Sequence, residues 1–279
     1  MYKIIIDSCG ELSEGMKADG HFCSIPLELE VDGVRIIDDE TFDQATFIRS
    51  ISASKKAPKS SCPSPERYMV AFEGEEENVY GVTLSANLSG SYNSAMLAVN
   101  LYKDEHSGGK NLHIFNSCSA SVGETLIGLK IQECEEAGMS FEEVVKAVDA
   151  YIAEQNTFFV LESLETLRKT GRLSNIKALV ASTLNIKPVM ASTPEGTICQ
   201  VAQSRGMKKA LSKMIQEMMA VTKNCENKIL AIAHCNCPDR AQYVKGLVEQ
   251  VAKFRDIIVV DTRGVSTMYA NDGGIILVV

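Results

Sequence analysis

A stretch rich in small hydroxyl side chains, residues 83–95 (TLSANLSGSYNSA), is the first candidate for binding chemistry in this 279-residue chain. It follows a strand-like segment and precedes a helical one. Ser89, Gly90 and Ser91 would therefore lie at a helix N-terminus, where unpaired N–H groups and the helix dipole attract a carboxylate or a phosphate. Glycine would let such a ligand approach the backbone. The alternative is structural, because Ser and Asn are also preferred helix N-caps.

A second hydroxyl-bearing loop spans residues 57–68 (APKSSCPSPERY). Its prolines stiffen the backbone, so Ser60 and Ser61 are candidates for presenting hydroxyls to a ligand. The same segment also predicts a helix start, with Ser64 as N-cap and Pro65 at the first helical position. The two interpretations are compatible.

Two arginines stand in the most basic segments, Arg172 in TGRLSN and Arg205 in QSRGMKK. Such residues usually form a solvated face, and the alternative is contact with an acidic partner or a phosphate. The segment AHCNCPD offers one His and two Cys, but a closed zinc site needs two separated ligand pairs. Incidental thiols at a strand end are therefore the favoured interpretation, and no metal site is predicted.

Motifs for nucleotide binding and nucleophilic catalysis are missing from the sequence. Neither G-x-x-x-x-G-K-[ST] nor G-x-G-x-x-G occurs, and no G-x-S-x-G elbow is present. We therefore expect no bound cofactor and no catalytic residues of the common hydrolase type.

The elements that position these residues alternate between strands and helices. YKIIID, NVYGVTL and NLHIFNS predict buried strands, and helical patterns lie between or after them. This alternation indicates an α/β fold with a mainly parallel sheet. Ligands bind at the carboxyl ends of strands in such sheets, and all three strands end in segments rich in small hydroxyls.

The second half of the chain predicts a further α/β unit with an antiparallel element. Ser140 and Glu143 form a capping-box pattern for one helix. Residues 176–185 predict another helix, and residues 186–206 predict two strands joined by a turn at TPEG. We place a domain boundary near residue 155, giving domains 1–155 and 156–279.

Composition limits the classes of partner. The net charge is −8 and the pI is near 5.2, which argues against a broad surface for nucleic acid or for anionic membranes. No apolar run approaches the roughly 20 residues that span a bilayer, and the N-terminus indicates a strand rather than a signal peptide. A cytoplasmic protein with reduced cysteines is expected.

The order of several motifs resembles the DegV family, the bacterial fatty-acid-binding proteins that include the acyl-carrier subunits of fatty acid kinase. The similar segments are IIIDSCGEL, CSIPLEL, SSCPSP, TLSANLSGSYNSA, SLETLRKTGRLS, LNIKPVM and AQSRGMKKAL. They run nearly end to end.

The resemblance implies two α/β domains, an acyl chain buried between or within them, and a carboxylate held by loop hydroxyls. It places Ser60 and Ser89 in the carboxylate site, and the predicted set of carboxylate-binding residues is Ser60, Ser61, Ser89, Gly90 and Tyr269. The family commonly has a His near the C-terminus where Tyr269 stands in TMYANDGG. A tyrosine hydroxyl donates to a carboxylate but adds no positive charge. Asn116 stands where the family often has Asp.

Three functional hypotheses follow. The favoured one is a carrier without enzymatic activity of its own, which binds a long-chain fatty acid and presents it to a separate ATP-dependent fatty acid kinase. Arg172 and Arg205 are then candidates for contact with that kinase or with the new phosphate. The alternatives are a stand-alone enzyme on a small anionic substrate and a regulatory module with a structural lipid.

Overall fold

The computed structural model describes residues 1–106, 109–173 and 185–279. Its α/β architecture confirms the predicted fold class, with one parallel sheet, one mixed sheet and one small antiparallel sheet. The helix expected over residues 176–185 lies largely outside the described residues. None of the helices in the described ranges is long and apolar enough to cross a membrane.

The first half of the chain carries two of the sheets. Its elements are β1 (Tyr2–Asp7), α1 (Glu14–Asp19), β2 (Phe22–Ile25), β3 (Glu28–Val31), β4 (Val34–Ile37), α2 (Gln44–Ala53), β5 (Lys59–Ser61), α3 (Pro65–Phe72), β6 (Asn78–Thr83), α4 (Ser91–Glu105), β7 (Asn111–Asn116), α5 (Val122–Glu136) and α6 (Phe141–Glu154).

The parallel sheet has the strand order β2-β1-β6-β7 and is covered by helices on both faces. This explains the uninterrupted apolar run in β1, because successive side chains point to opposite faces. Ile4 and Ile6 pack with α5 and α6, whereas Ile5 packs with α3 and α4. The carboxyl ends of β1, β6 and β7 therefore meet at one edge, as the sequence predicts.

The small sheet has the strand order β4-β3-β5 and is antiparallel. The sequence analysis did not predict it. β5 pairs with β3 so that Ser60 lies opposite Leu29, a buried core residue. Directly opposed residues in an antiparallel pair share a face of the sheet, so the side chain of Ser60 points toward the core.

The second half of the chain forms the mixed sheet. Its elements are β8 (Thr157–Val160), α7 (Glu165–Lys169), β9 (Ile186–Ser192), β10 (Ile198–Arg205), α8 (Met207–Val221), β11 (Ile229–His234), α9 (Pro238–Glu249), β12 (Asp256–Asp261), α10 (Gly264–Ala270) and β13 (Ile275–Val278).

The mixed sheet has the order β10-β9-β8-β13-β11-β12 and is antiparallel except for the β11–β12 pair. β9 and β10 form the hairpin predicted around TPEG. The capping box of Ser140 and Glu143 is also present at the start of α6. All six strands follow residue 156, but whether residues 1–155 and 156–279 are separate domains stays a prediction.

Helix α5 lies between the two larger sheets. Ile127 and Ile131 pack on the parallel sheet, while Val122 and Leu126 pack against β11 and β13. Residues 122–128 are all buried, so the first half of α5 joins the two halves of the chain through their cores.

Candidate functional site

An apolar cavity lies where the strand-end loops of the parallel sheet face the mixed sheet. It is lined by Cys9, Leu84, Leu88, Cys118, Ser119, Ala120, Ser121, Thr157, Phe159, Leu161, Leu167, Arg172, Ser192, Gly196, Thr197, Ile198, Val265, Ser266, Tyr269, Ala270 and Ile276. Ligand pockets are commonly concave, mostly apolar and supplied with a few polar groups. This cavity has that composition.

The wall from the mixed sheet follows from strand alternation. Thr157, Phe159 and Leu161 are spaced by two residues, so their side chains point to the same face. Ile276 on β13 lies directly opposite Phe159 and shares that face. The cavity therefore has a continuous wall of large apolar side chains on this side.

Tyr269, near the end of α10, marks a polar end of the cavity. Its hydroxyl lies 3.1 Å from the hydroxyl of Ser60, and either oxygen can be the donor. The two residues are 209 positions apart in sequence. The structure thus brings together the predicted loop serine and the tyrosine that stands at the usual histidine position.

Arg172 lies against Tyr269. Its guanidinium carbon is 5.5 Å from the centre of the Tyr269 ring, a distance within the range of a cation–π contact. Arg172 also donates from Nε to the carbonyl of Leu88 at 3.2 Å and from Nη1 to the carbonyl of Thr170 at 2.8 Å. Among the described residues that line the cavity, Arg172 is the only charged one.

The two hydroxyl-bearing loops touch each other beside this end. Ser94 donates to the carbonyl of Pro63 at 2.6 Å. A Cβ added to Gly90 would lie 3.2 Å from the sulfur of Cys62, so glycine allows a close contact between the loops. The loops therefore form one surface, although the residues joined by this hydrogen bond are 31 positions apart in sequence.

Ser89 has a capping role in this structure. Its hydroxyl oxygen accepts the Ser91 N–H at 3.2 Å and lies 3.4 Å from the Ser91 hydroxyl. Gly90 is the N-cap of α4. The structural and the ligand-binding interpretations of residues 83–95 thus do not exclude each other, because a capped helix N-terminus still has neighbouring N–H groups for an anion.

Other polar side chains around these loops hold the structure together. Ser85 and Asn87 donate to the carbonyls of Gly196 and Glu195, in the β9–β10 turn. Asn116 accepts the N–H groups of Ala86 and Cys118. The side chains of Ser85 and Asn87 therefore attach the β9–β10 hairpin to the loop after β6.

Two predicted residues lie away from the Tyr269 contact. Ser61 is exposed and, as the neighbour of Ser60 in β5, points to the opposite face of the strand. Arg205 is exposed at the end of β10, and it is not a lining residue of the cavity. The structure places Arg172, but not Arg205, beside the candidate site.

Several lining residues were not singled out from the sequence, among them Cys9, Ser119, Thr157 and Ser266. A usable signal existed for Cys9 and Ser119, because each follows a strand of the parallel sheet and strand ends converge at one edge. Thr157 and Ser266 come from the second half of the chain, and only the tertiary packing brings them to the cavity.

Four buried carboxyl groups lie behind the cavity wall, on Asp7, Glu11, Asp38 and Glu124. Burial raises the pKa of Asp7 to about 6 and that of Glu11 to about 7. The pKa of Asp38 and that of Glu124 are also raised, chiefly by burial. Sequence reasoning did not identify this cluster.

Hydrogen bonds tie these carboxyl groups to the cavity wall. Asp38 accepts the N–H groups of Gly264 and Val265 at 2.8 and 2.9 Å, at the start of α10. Glu11 accepts the hydroxyl of Ser121 at 2.7 Å. The cluster therefore anchors α10 to the first half of the chain and the segment before α5 to the segment after β1.

Comparison with known families gives a match over almost the whole chain. The matching family model carries the description "Uncharacterised protein, DegV family" and covers residues 1–278. A curated DegV domain-containing protein from Streptococcus pneumoniae R6 is 34% identical over 256 residues, which cover 92% of this chain and 90% of that protein. The chain belongs to the DegV family.

Solved DegV structures with fatty acids are similar to this chain. A crystal structure of a DegV protein from Ruminococcus gnavus ATCC 29149 with vaccenic acid has 55% identity and a TM-score of 0.97, and the match covers 100% of this chain and 99% of that one. The S. pneumoniae fatty acid kinase (Fak) B3 protein loaded with linoleic acid has 32% identity and a TM-score of 0.88, covering 99% and 98%. The predicted DegV resemblance is thus confirmed.

Proposed function

We propose that this protein binds one long-chain fatty acid, with the acyl chain in the apolar cavity and the carboxylate at the Tyr269 end. The observation that carries the proposal is the position of Arg172. The cavity wall is otherwise uncharged among its described residues, and Arg172 lies against Tyr269 at the point where Tyr269 meets Ser60. An apolar cavity with one cation and neighbouring hydroxyls suits an amphipathic anion.

The acyl chain supplies most of the affinity in this proposal. Removing one CH₂ from water contributes about 0.8 kcal/mol, so a chain of about sixteen carbons offers far more than the headgroup. The carboxylate contacts then set the orientation of the ligand. A charge-assisted hydrogen bond contributes about 1.5–3 kcal/mol, which suffices to select a carboxylate over an uncharged headgroup.

We assign the headgroup contacts to Ser60, Ser89, Tyr269 and the backbone at Gly90, with Arg172 as the source of positive charge. Ser61 is left out of the direct contacts, because its side chain faces the other side of β5. Arg172 replaces the charge that a histidine at position 269 would bring. It remains close enough to the loops to contact a phosphorylated ligand.

We further propose that the protein is a substrate carrier rather than an enzyme, and that a separate ATP-dependent kinase phosphorylates the bound carboxylate. The similarity to the S. pneumoniae Fak B3 protein supports this role. Exposed Arg205, which lies away from the headgroup end, is the candidate contact with the kinase. No cofactor is required in this scheme.

The headgroup proposal is tested by comparing a fatty acid with the primary alcohol of the same chain. Arg172→Gln should weaken binding of the acid about tenfold and leave binding of the alcohol unchanged. Arg168→Gln, an exposed position on α7 that pairs with Glu165, is the matched control and should affect neither ligand. Equal losses for acid and alcohol in Arg172→Gln would show that Arg172 acts through packing.

The carrier proposal is tested by mixing the loaded protein with ATP, with and without a fatty acid kinase subunit. Acyl phosphate, trapped with hydroxylamine, should form only when the kinase is present. Acyl phosphate formed by the chain and ATP alone would contradict the carrier role.

A further inference from the structure

Glu124, in the first turn of α5, is the least satisfied of the four buried carboxyl groups. Glu124 is fully buried. Neither of its carboxyl oxygens has a hydrogen-bond partner in the described part of the chain. An ionised carboxylate in such a place is strongly disfavoured. Glu124 therefore needs either a cation or a proton.

A cation is the less suitable of the two. Carboxyl oxygens of Glu124 and Asp7 and the sulfur of Cys9 lie within 4.8 Å of one another, a spacing that fits metal ligands. However, the oxygens of Asp7 already accept the N–H groups of Cys9 and Leu84 at 3.1 and 3.0 Å. The sulfur of Cys9 accepts the N–H of Ser121 at 3.5 Å. Asp7 and Cys9 are thus already oriented by backbone N–H groups, and a proton on Glu124 would supply the donor that this pair of carboxyl groups lacks.

We propose that Glu124 is a protonated carboxylic acid whose O–H donates to Asp7, and that this pair positions the hydroxyl-rich loop that receives the fatty acid carboxylate. The proposal rests on the function proposed above. It makes Glu124 a positioning residue, since it touches neither the cavity nor the ligand.

Asp7 is the link between this pair and the loop. It accepts the backbone N–H of Leu84, which begins the loop and lines the cavity. The hydroxyl of Ser91, at the end of the loop, lies 3.4 Å from the hydroxyl of Ser89. Asp7 thus holds the start of the loop that carries Ser89.

Loss of the Glu124 proton would place two carboxylates against each other. The titratable groups around Glu124 on the described elements are Asp7, Cys9 and Glu11 from β1 and the loop after it, together with Tyr68 on α3. None of them supplies a positive charge. Burial and then the charge of Asp7 hold the pKa of Glu124 well above its ordinary value, so the shared proton is present near neutral pH.

The test compares Glu124→Gln, which keeps a donor but cannot ionise, with Glu124→Met, which has no donor. Dissociation constants for oleate are measured from about pH 7 to about pH 10, and the infrared C=O band of protonated carboxyl groups is recorded for each protein. Glu136→Gln, at the exposed end of the same helix, is the matched control.

Glu124→Met should bind oleate about tenfold more weakly than the wild type at neutral pH, because Asp7 loses a donor. Glu124→Gln should restore the affinity. The wild type and Glu136→Gln should lose affinity as pH rises, whereas Glu124→Gln should lose less. The infrared spectrum of Glu124→Gln should lack one protonated-carboxyl band that the wild type and Glu136→Gln contain.

Three results would overturn the proposal. The first is equally weak binding by both Glu124 variants together with a stoichiometric metal in the wild type alone, which would identify a metal site. The second is wild-type affinity in Glu124→Met. The third is an unchanged infrared spectrum in Glu124→Gln. The infrared spectrum shows whether Glu124 is protonated even if the wild type binds no fatty acid. Failure of the Glu124 proposal can therefore be distinguished from failure of the proposed fatty acid binding.

Discussion

The two larger sheets contribute to the cavity in opposite ways. The parallel sheet supplies loops at its strand ends, which carry Ser89, Gly90 and the anchoring carboxylate of Asp7. The mixed sheet supplies one face, with Phe159 and Ile276 side by side. Strand ends expose N–H groups and hydroxyls, whereas a sheet face can present only side chains. In the proposed function, the strand-end loops orient the ligand and the sheet face holds its acyl chain.

Helix α10 joins these two regions. Val265, Ser266, Tyr269 and Ala270 line the cavity, and their spacing places them on one side of the helix. The start of α10 is held by Asp38 from the first half of the chain, while Tyr269 near its other end contacts Ser60. Both regions therefore contact the helix that carries Tyr269.

The largest effect is expected from filling the apolar part of the cavity, where the acyl chain is proposed to lie. Ala120→Phe projects a ring into the cavity and should weaken fatty acid binding about 100-fold, because several methylenes lose their place. Unfolding temperature should be unchanged or higher, since filling a cavity adds packing. Ala153→Phe, exposed on α6, is the control, and binding and melting curves measure both effects. Full affinity in Ala120→Phe would place the acyl chain elsewhere.

The next prediction concerns the buried carboxyl group of Glu11 and the pH dependence of the free energy of unfolding. Burial raises the pKa of Glu11 from 4.5 to about 7, so this carboxyl group keeps its proton in the folded state between these pH values. The folded state therefore retains a proton that the unfolded state releases, and the free energy of unfolding should fall as pH rises from 4.5 to 7. The expected contribution is about 3 kcal/mol.

Glu11→Gln removes this titration, so its free energy of unfolding should fall less over the same pH range. Chemical denaturation at several pH values measures the slope. Glu105→Gln, exposed at the end of α4, should keep the wild-type slope. An identical slope in Glu11→Gln would mean that Glu11 is ionised in the folded protein.

The smallest effect is expected at the contact between the two regions. Tyr269→Phe removes one hydroxyl and should weaken fatty acid binding about fivefold. Ser60→Ala should have a similar effect. If both hydroxyls act on the same carboxylate, the double variant should lose less than the product of the two single effects. If the losses of affinity in the two single variants multiply in the double variant, Ser60 does not act on the same carboxylate as Tyr269.

Much of this arrangement is predictable from local sequence. The apolar run of β1, the turn at TPEG and the Ser140–Glu143 capping box depend on neighbouring residues, and each is present in the structure. The convergence of the strand-end loops follows from the parallel topology. These features need no knowledge of distant contacts.

The contacts that complete the site depend on packing over long sequence distances. Arg172 and Tyr269 are almost one hundred residues apart, and no periodic pattern relates them. Glu124 resembles an ordinary acidic residue in a first helical turn, and its burial follows only from the position of α5 between two sheets. A faint signal was present, since Glu124 stands among the apolar residues of VGETLIGL.

Native mass spectrometry of the purified protein, followed by extraction and identification of the released molecule, tests the central claim most directly. We predict one long-chain fatty acid per wild-type chain and a strongly reduced amount in Ala120→Phe. A wild-type protein that is empty and also fails to take up added fatty acids would contradict the proposed function.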